Sequence, residues 1–154
     1  MIVVPVVPGV EYADPLEPAD RRHVKVRPHH LLVHVRDDRL FKIEVKAAHH
    51  FGRFGYFREL GGGMAGLIVR LFFNNPSAPY VMEAPHGPGI RGYSLDIYHD
   101  DGRQGGIAEM ECHGQPVGGP RGTDTSRDQF VTWSYRWEAR AIRKTAEQLL
   151  GVKL

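Results

Sequence analysis

The sequence predicts a mainly β protein, an antiparallel β-sandwich closed by one C-terminal helix. Three observations carry this expectation. Several segments alternate apolar and polar residues, the period of a half-buried strand. The 154 residues include 18 glycines and 11 prolines, which cut the chain into short pieces. Only from Glu138 onward does the apolar spacing change to that of a helix. A chain of this length supports a core of its own, and no repeat or linker divides it, so residues 1–154 read as one domain.

The elements follow in order. Residues 1–8 are apolar and broken by Pro5 and Pro8, which suits a short edge strand. Residues 9–22 are acidic, proline-containing and loop-like. Residues 31–35 and 40–46 read as two strands joined at Asp37-Asp38, an expected antiparallel hairpin. In the second, Phe41, Ile43 and Val45 alternate with Leu40, Lys42, Glu44 and Lys46. Residues 49–60 are aromatic and basic. Gly61-Gly62-Gly63 reads as a turn, since it lacks the strand and lysine context of a phosphate loop. Residues 66–73 form an apolar strand whose single charge is Arg70. Residues 79–84 form another short strand, and residues 85–89 a loop tip. Residues 92–99 place Ser94, Asp96 and Tyr98 against Leu95, Ile97 and His99. Residues 106–114 alternate as well, with Ile107, Glu109, Glu111 and His113 on one parity and Ala108, Met110 and Cys112 on the other. After a polar loop, residues 129–138 carry Val131, Trp133, Tyr135 and Trp137 on one parity. The helix is expected over 138–150, with Ala141, Ile142, Thr145, Ala146, Leu149 and Leu150 on its inner face and Gly151 as its stop.

Composition excludes several classes. Twenty basic against 18 acidic residues leave a formal net charge of +2, too little to point to nucleic acid or a membrane surface. No run approaches the ~18 apolar residues of a membrane span. The N-terminal apolar stretch is too short and too proline-broken for a signal peptide, so the chain is expected to be soluble. A single cysteine, Cys112, allows no intrachain disulfide and reads as a small buried hydrophobe.

The chemistry concentrates on residues 106–114. One strand face carries two carboxylates and an imidazole in a row, either a solvated surface or the lining of a polar groove. Like charges side by side raise one of the two pKa values, which suits a general base. Metal ligation by Glu109, Glu111 and His113 lacks the usual histidine spacing, so no metal or cofactor is expected. His29-His30 and His49-His50 are adjacent pairs whose rings point apart in an extended chain. Arg70, in an apolar strand, calls for a carboxylate or a ligand oxygen. Among the aromatics, Trp133 and Trp137 are expected to pack in the core, and Phe51, Phe54, Tyr56, Phe57 and Tyr135 could stack on sugar rings.

The segments 94–102, 107–114 and 130–137, with the polar loop between the last two, resemble the end of the galactose mutarotase (aldose 1-epimerase)-like superfamily. Residues 41–43 and 66–73 are similar to strands that precede the motif in an uncharacterised bacterial branch, and 141–151 to its C-terminal helix. The resemblance covers residues 38–152. It implies half of a mutarotase-like supersandwich. Met110-Glu111-Cys112 occupies the place of the family's leucine–glutamate–threonine-type motif, which makes Glu111 the general base. Glu109, His113, Arg70 and Asp96 then become substrate-binding residues. The implied activity is the opening and reclosing of a sugar hemiacetal. The alternatives are a non-catalytic carbohydrate-binding or structural domain and a cupin-like metal enzyme. Family members are longer, and the histidines that protonate the ring oxygen belong to their earlier half. Thr125-Ser126-Arg127-Asp128 also replaces the usual proline-glycine-glutamate before the last strand. The expected partner is a sugar or sugar derivative. A half-domain leaves a sheet uncovered, which a homodimer would close.

Overall fold

The structure is a computed structural model that describes residues 1–36, 39–82, 89–90, 92–118 and 121–154. It is a mainly β protein of two antiparallel sheets with one α-helix. The strands are β1 (Ile2–Pro5), β2 (Tyr12–Ala13), β3 (Val24–Val26), β4 (His30–Val33), β5 (Phe41–Lys46), β6 (Arg53–Gly61) and β7 (Met64–Phe72). The series continues with β8 (Val81–Met82), β9 (Gly89–Ile90), β10 (Tyr93–His99), β11 (Ala108–Cys112) and β12 (Phe130–Glu138), followed by α1 (Ala139–Leu150). The large sheet runs β12-β7-β6-β1-β4-β3, the small sheet β11-β10-β5-β2, and β8 pairs with β9 alone.

Alternation decides the layers. Phe41, Ile43 and Val45 of β5, with Leu95 and Ile97 of β10, turn inward from the small sheet. They meet Ile2, Val4, Leu31, Val33 and Phe54 of the large sheet, and together these close the sandwich core. The far face of the large sheet has its own cluster. Val3, Phe57, Ala65, Leu67 and Val69 lie under Ile142, Ala146 and Leu150 of α1. The order is therefore small sheet, large sheet, helix. The large sheet is buried on both sides near β1, where Ile2, Val3 and Val4 are each at most 1% exposed.

Glycine sets two of the turns. Gly61, Gly62 and Gly63 have φ of 83°, 57° and 76°, left-handed values that join β6 to β7 in a tight hairpin. Gly151 ends α1 at φ 69°, and its N–H donates to the Glu147 carbonyl.

Four sequence expectations change. The N-terminal strand is not an edge. β1 lies between β6 and β4, and Pro5 is tolerated because it stands at the strand's end. The segments around 31–35 and 40–46 do not form a hairpin. β4 belongs to the large sheet and β5 to the small one, so they face each other across the core. Both have an apolar face, and pairing and packing leave the same alternation in sequence. Trp137 is not core. It is 64% exposed, because α1 leaves the end of β12 uncovered, whereas Trp133 packs against the helix cluster. Residues 9–22, read as loop, contain the short strand β2. Asp37-Asp38, Glu83–Ala84 and most of the 85–89 tip lie outside the described residues.

Leu150 is fully buried under the large sheet, so Leu150→Ala should cost about 3 kcal/mol of unfolding free energy in urea. Leu60→Ala, at a residue 46% exposed, should change it by less than ~0.5 kcal/mol.

Candidate functional site

The outer face of the small sheet is polar and only partly wet. Three strands lie side by side there, β5, β10 and β11, with Asp96 in register with Glu44 on one side and Glu111 on the other. Directly opposed residues share a face at about one strand spacing, roughly 5 Å. Three carboxylates thus form a row across the strands. Asp96 and Glu44 are 3% and 1% exposed.

Two cationic groups hold the row together. Lys42 Nζ and His113 Nε2 each lie 2.8 Å from the same oxygen, Asp96 Oδ2. Lys42 also reaches to 3.9 Å from Glu44 Oε1. The Asp96 hydrogen bond raises the imidazole pKa of His113, against the opposing effect of burial. Burial pulls Lys42 down, but its bond to Asp96 and the charges of Asp96, Glu111 and Glu44 carry it above the ordinary lysine value. Burial first, then Asp96, pushes Glu44 up to about 7, with Lys42 and His113 pulling the other way. Burial also raises Glu111, helped by Asp96 and Glu109 and opposed by Lys42 and His113.

Two buried oxygens, Asp96 Oδ1 and Glu44 Oε2, have no hydrogen-bond partner. Unpaired buried acceptors are costly. A proton on Glu44 removes one charge from the row and adds a donor where acceptors are in excess. This agrees with its raised pKa.

The start of β10 is fixed by a hydrogen-bond chain, at the point where its pairing with β5 shifts register. Gly52 N–H donates to His50 Nδ1, so Nε2 carries the proton and donates to Ser94 Oγ. Ser94 Oγ–H donates to Asn74 Oδ1, and Asn74 Nδ2 donates to the Ala47 carbonyl. Burial and the neighbouring His49 push His50 down to about 4, which keeps it neutral. His50 is therefore a buttress for β10, not an acid. His49 is half-buried and His29 is exposed.

The other expected residues separate. Asp96, Glu111 and His113 come together, with potential ligand atoms all within 4.8 Å of one another. Glu109 shares their face but is exposed, beside Tyr98 rather than Asp96. Cys112 and Met110 turn toward the core, as their parity implies. Arg70 stands on the inner face of the large sheet, where β7 and β12 run beyond the small sheet. Its Nε donates to Thr132 Oγ1 at 3.3 Å, and its guanidinium lies 5.1 Å from the Phe130 ring centre. Among the described residues no carboxylate pairs with it. A cleft of about 580 Å³ connects these regions, with Glu111 and His113 on one wall and Arg70, Phe73, Phe130 and Asp128 on the other. That volume lies within the usual range for small-molecule sites.

Sequence reasoning did not single out Lys42 and Glu44. Their signal was the charged parity of residues 40–46. It matches that of 92–99 and 107–113, but the match has meaning only once β5 is known to pair with β10. The carboxylates and imidazole are close enough to converge on a cation. Here, however, two protein cations already share Asp96 Oδ2. A metal would have to displace the Lys42 ammonium and strip His113 of its Nε2 proton, so the donor set suits an internal ion cluster better than a metal.

No family model, curated protein or solved structure matches the chain.

The cluster makes stability depend on pH. The folded chain keeps a proton on Glu44 above the ordinary glutamate value of 4.5, where the unfolded chain has lost it. The resulting penalty is absent below about 4.5, grows as pH rises and is complete above about 7. His113 acts in the same direction, since the stability from its protonated contact with Asp96 fades as pH rises through its raised pKa. His50 and the N-terminal amine, whose pKa values are lowered, act the other way over the same range, so the part of the cluster is read by comparison with a variant. The thermal midpoint of Glu44→Gln should rise relative to wild type between about pH 5 and 7, and above pH 7 the variant should be more stable by on the order of 2 kcal/mol.

Proposed function

We propose that the chain binds a carbohydrate in the cleft beside β11 and interconverts its anomers, with Glu111 as base and His113 as acid. The observation that carries this reading is the proximity of a raised carboxylate and a raised imidazole on one strand face, where each offers a potential ligand atom within 4.8 Å of the other. Asp96 holds His113 by Nε2, which leaves Nδ1 as the outward donor. A hemiacetal carbon bears its hydroxyl and its ring oxygen on the same atom. An acid and a base side by side can therefore serve both oxygens from one direction.

The reaction balances simply. Glu111 takes the proton of the anomeric hydroxyl, whose oxygen becomes the aldehyde oxygen. The bond from the anomeric carbon to the ring oxygen breaks, and its electron pair stays on that oxygen. The ring oxygen takes the proton from His113. The aldehyde turns about the adjacent carbon–carbon bond, and the reverse steps close the ring on the other face. The cleft supplies what a sugar needs beyond the reacting centre. Phe73 and Phe130 are 52% and 62% exposed and offer aromatic faces, while Arg70 and Asp128 offer polar contacts. The resemblance of residues 107–114 to the mutarotase-like motif points to the same residue, Glu111.

Polarimetry or NMR on freshly dissolved α-hexoses and hexuronic acids tests the reading. The protein should equilibrate one of them above the buffer rate, and Glu111→Gln should slow it by about 10²–10⁴-fold. The rate should rise as Glu111 ionises and fall as His113 loses its proton. Binding without acceleration would favour a non-catalytic carbohydrate-binding module. If no sugar binds and none is equilibrated, the proposal fails.

A further inference from the structure

We infer that β12 is the dimer interface of this chain, pairing antiparallel with β12 of a second copy about a two-fold axis through Ser134. β12 is nine residues long and lies at the edge of the large sheet, bonded to β7 on one side. Among the described residues no backbone hydrogen bond reaches its other side. Such an edge is a template for another strand, and monomeric proteins usually blunt it with proline, inward charges, bulges or short length. β12 has no proline, no bulge and full length, and its two charged residues, Arg136 and Glu138, lie near one end. Its register with β7 is unbroken from Phe130 to Glu138, and the rest of the strand is built of aromatic, β-branched and small residues.

The side chains specify what pairs with it. Full-length antiparallel pairing of nine residues with themselves puts the two-fold at the fifth, Ser134. Val131, 51% exposed, then lies opposite the partner's Trp137, 64% exposed in the free chain. Trp133 meets the partner's Tyr135, and Thr132 meets the partner's Arg136. Phe130, 62% exposed, meets the partner's Glu138. No charge faces its own copy. The large exposed apolar groups of the strand are thereby covered, each by a residue of its own strand in the second molecule. Each residue faces one of the same parity, so both copies keep the same face up. Two six-stranded sheets become one, with both helices on one side. The two clefts open on the other side, each with the partner's Glu138 beside the Phe130 that forms its wall. This inference does not depend on what the clefts bind.

Analytical ultracentrifugation of the 154-residue chain, with two variants, tests it. Wild type should sediment as a dimer. Ser134→Lys sets two ammonium groups against each other on the axis and should weaken association at least tenfold while leaving the circular dichroism spectrum unchanged. Ser134→Cys, in case the lysine variant does not fold, should form a disulfide between copies under mild oxidation that wild type, with Cys112 alone, does not form. A monomeric wild type overturns the inference. So does a dimer that Ser134→Lys does not weaken, or one that Ser134→Cys does not cross-link, because the contact then lies elsewhere, such as the β3, β2 or β11 edge.

Discussion

The carboxylate of Asp96, shared by Lys42 and His113, is the interaction that the polar half of this molecule depends on. It lies on the middle strand of three, so each neighbour supplies one clasping cation. The strand that carries it also carries Leu95 and Ile97 into the sandwich core. A single seven-residue segment therefore fixes both the apolar packing and the ionic row. Slipping it by one residue would bury Asp96 among phenylalanine and isoleucine and expose the core. Hydrophobic burial thus sets the register, and the register places the charges.

The ionic row is under tension. Three carboxylates compete for one ammonium and one imidazole, and two of their oxygens lack donors. Low exposure strengthens attraction and repulsion alike. The outcome is that Glu44 and Glu111 hold protons more tightly than ordinary carboxylates, and Lys42 and His113 hold theirs more tightly than an ordinary lysine and histidine. The buttress of His50, Ser94 and Asn74 holds the same strand without charge, two residues from Asp96.

The cleft exists because the two sheets are unequal. β7 and β12 extend past the edge of the small sheet, and their inner face, with Ile68, Arg70 and Phe130, has no strand above it among the described residues. On the opposite face the same strands are well covered by α1. The asymmetry gives the large sheet one dry side and one half-open side. Arg70 shows the consequence. In an apolar strand it would need a carboxylate if buried on both faces. At the open side it is satisfied by a threonine hydroxyl, an aromatic ring and solvent.

The sequence by itself determined the fold class, the C-terminal helix with its glycine stop, and which residues of each strand share a face. These are local properties, set by the two-residue period of a strand and the 3.6-residue period of a helix. The grouping of Glu109, Glu111 and His113 on one face, with Cys112 on the other, followed from that period alone. Tertiary structure decided which strands are neighbours. That choice placed β1 in the middle of its sheet, parted β4 from β5 and left Trp137 in solvent. It also brought Lys42 and Glu44 beside Asp96 and moved Glu109 out of the cluster. Alternation records on which side a residue stands, but not which strand stands beside it. Pairing is settled by the whole core at once, and the chemistry of this face is a product of pairing.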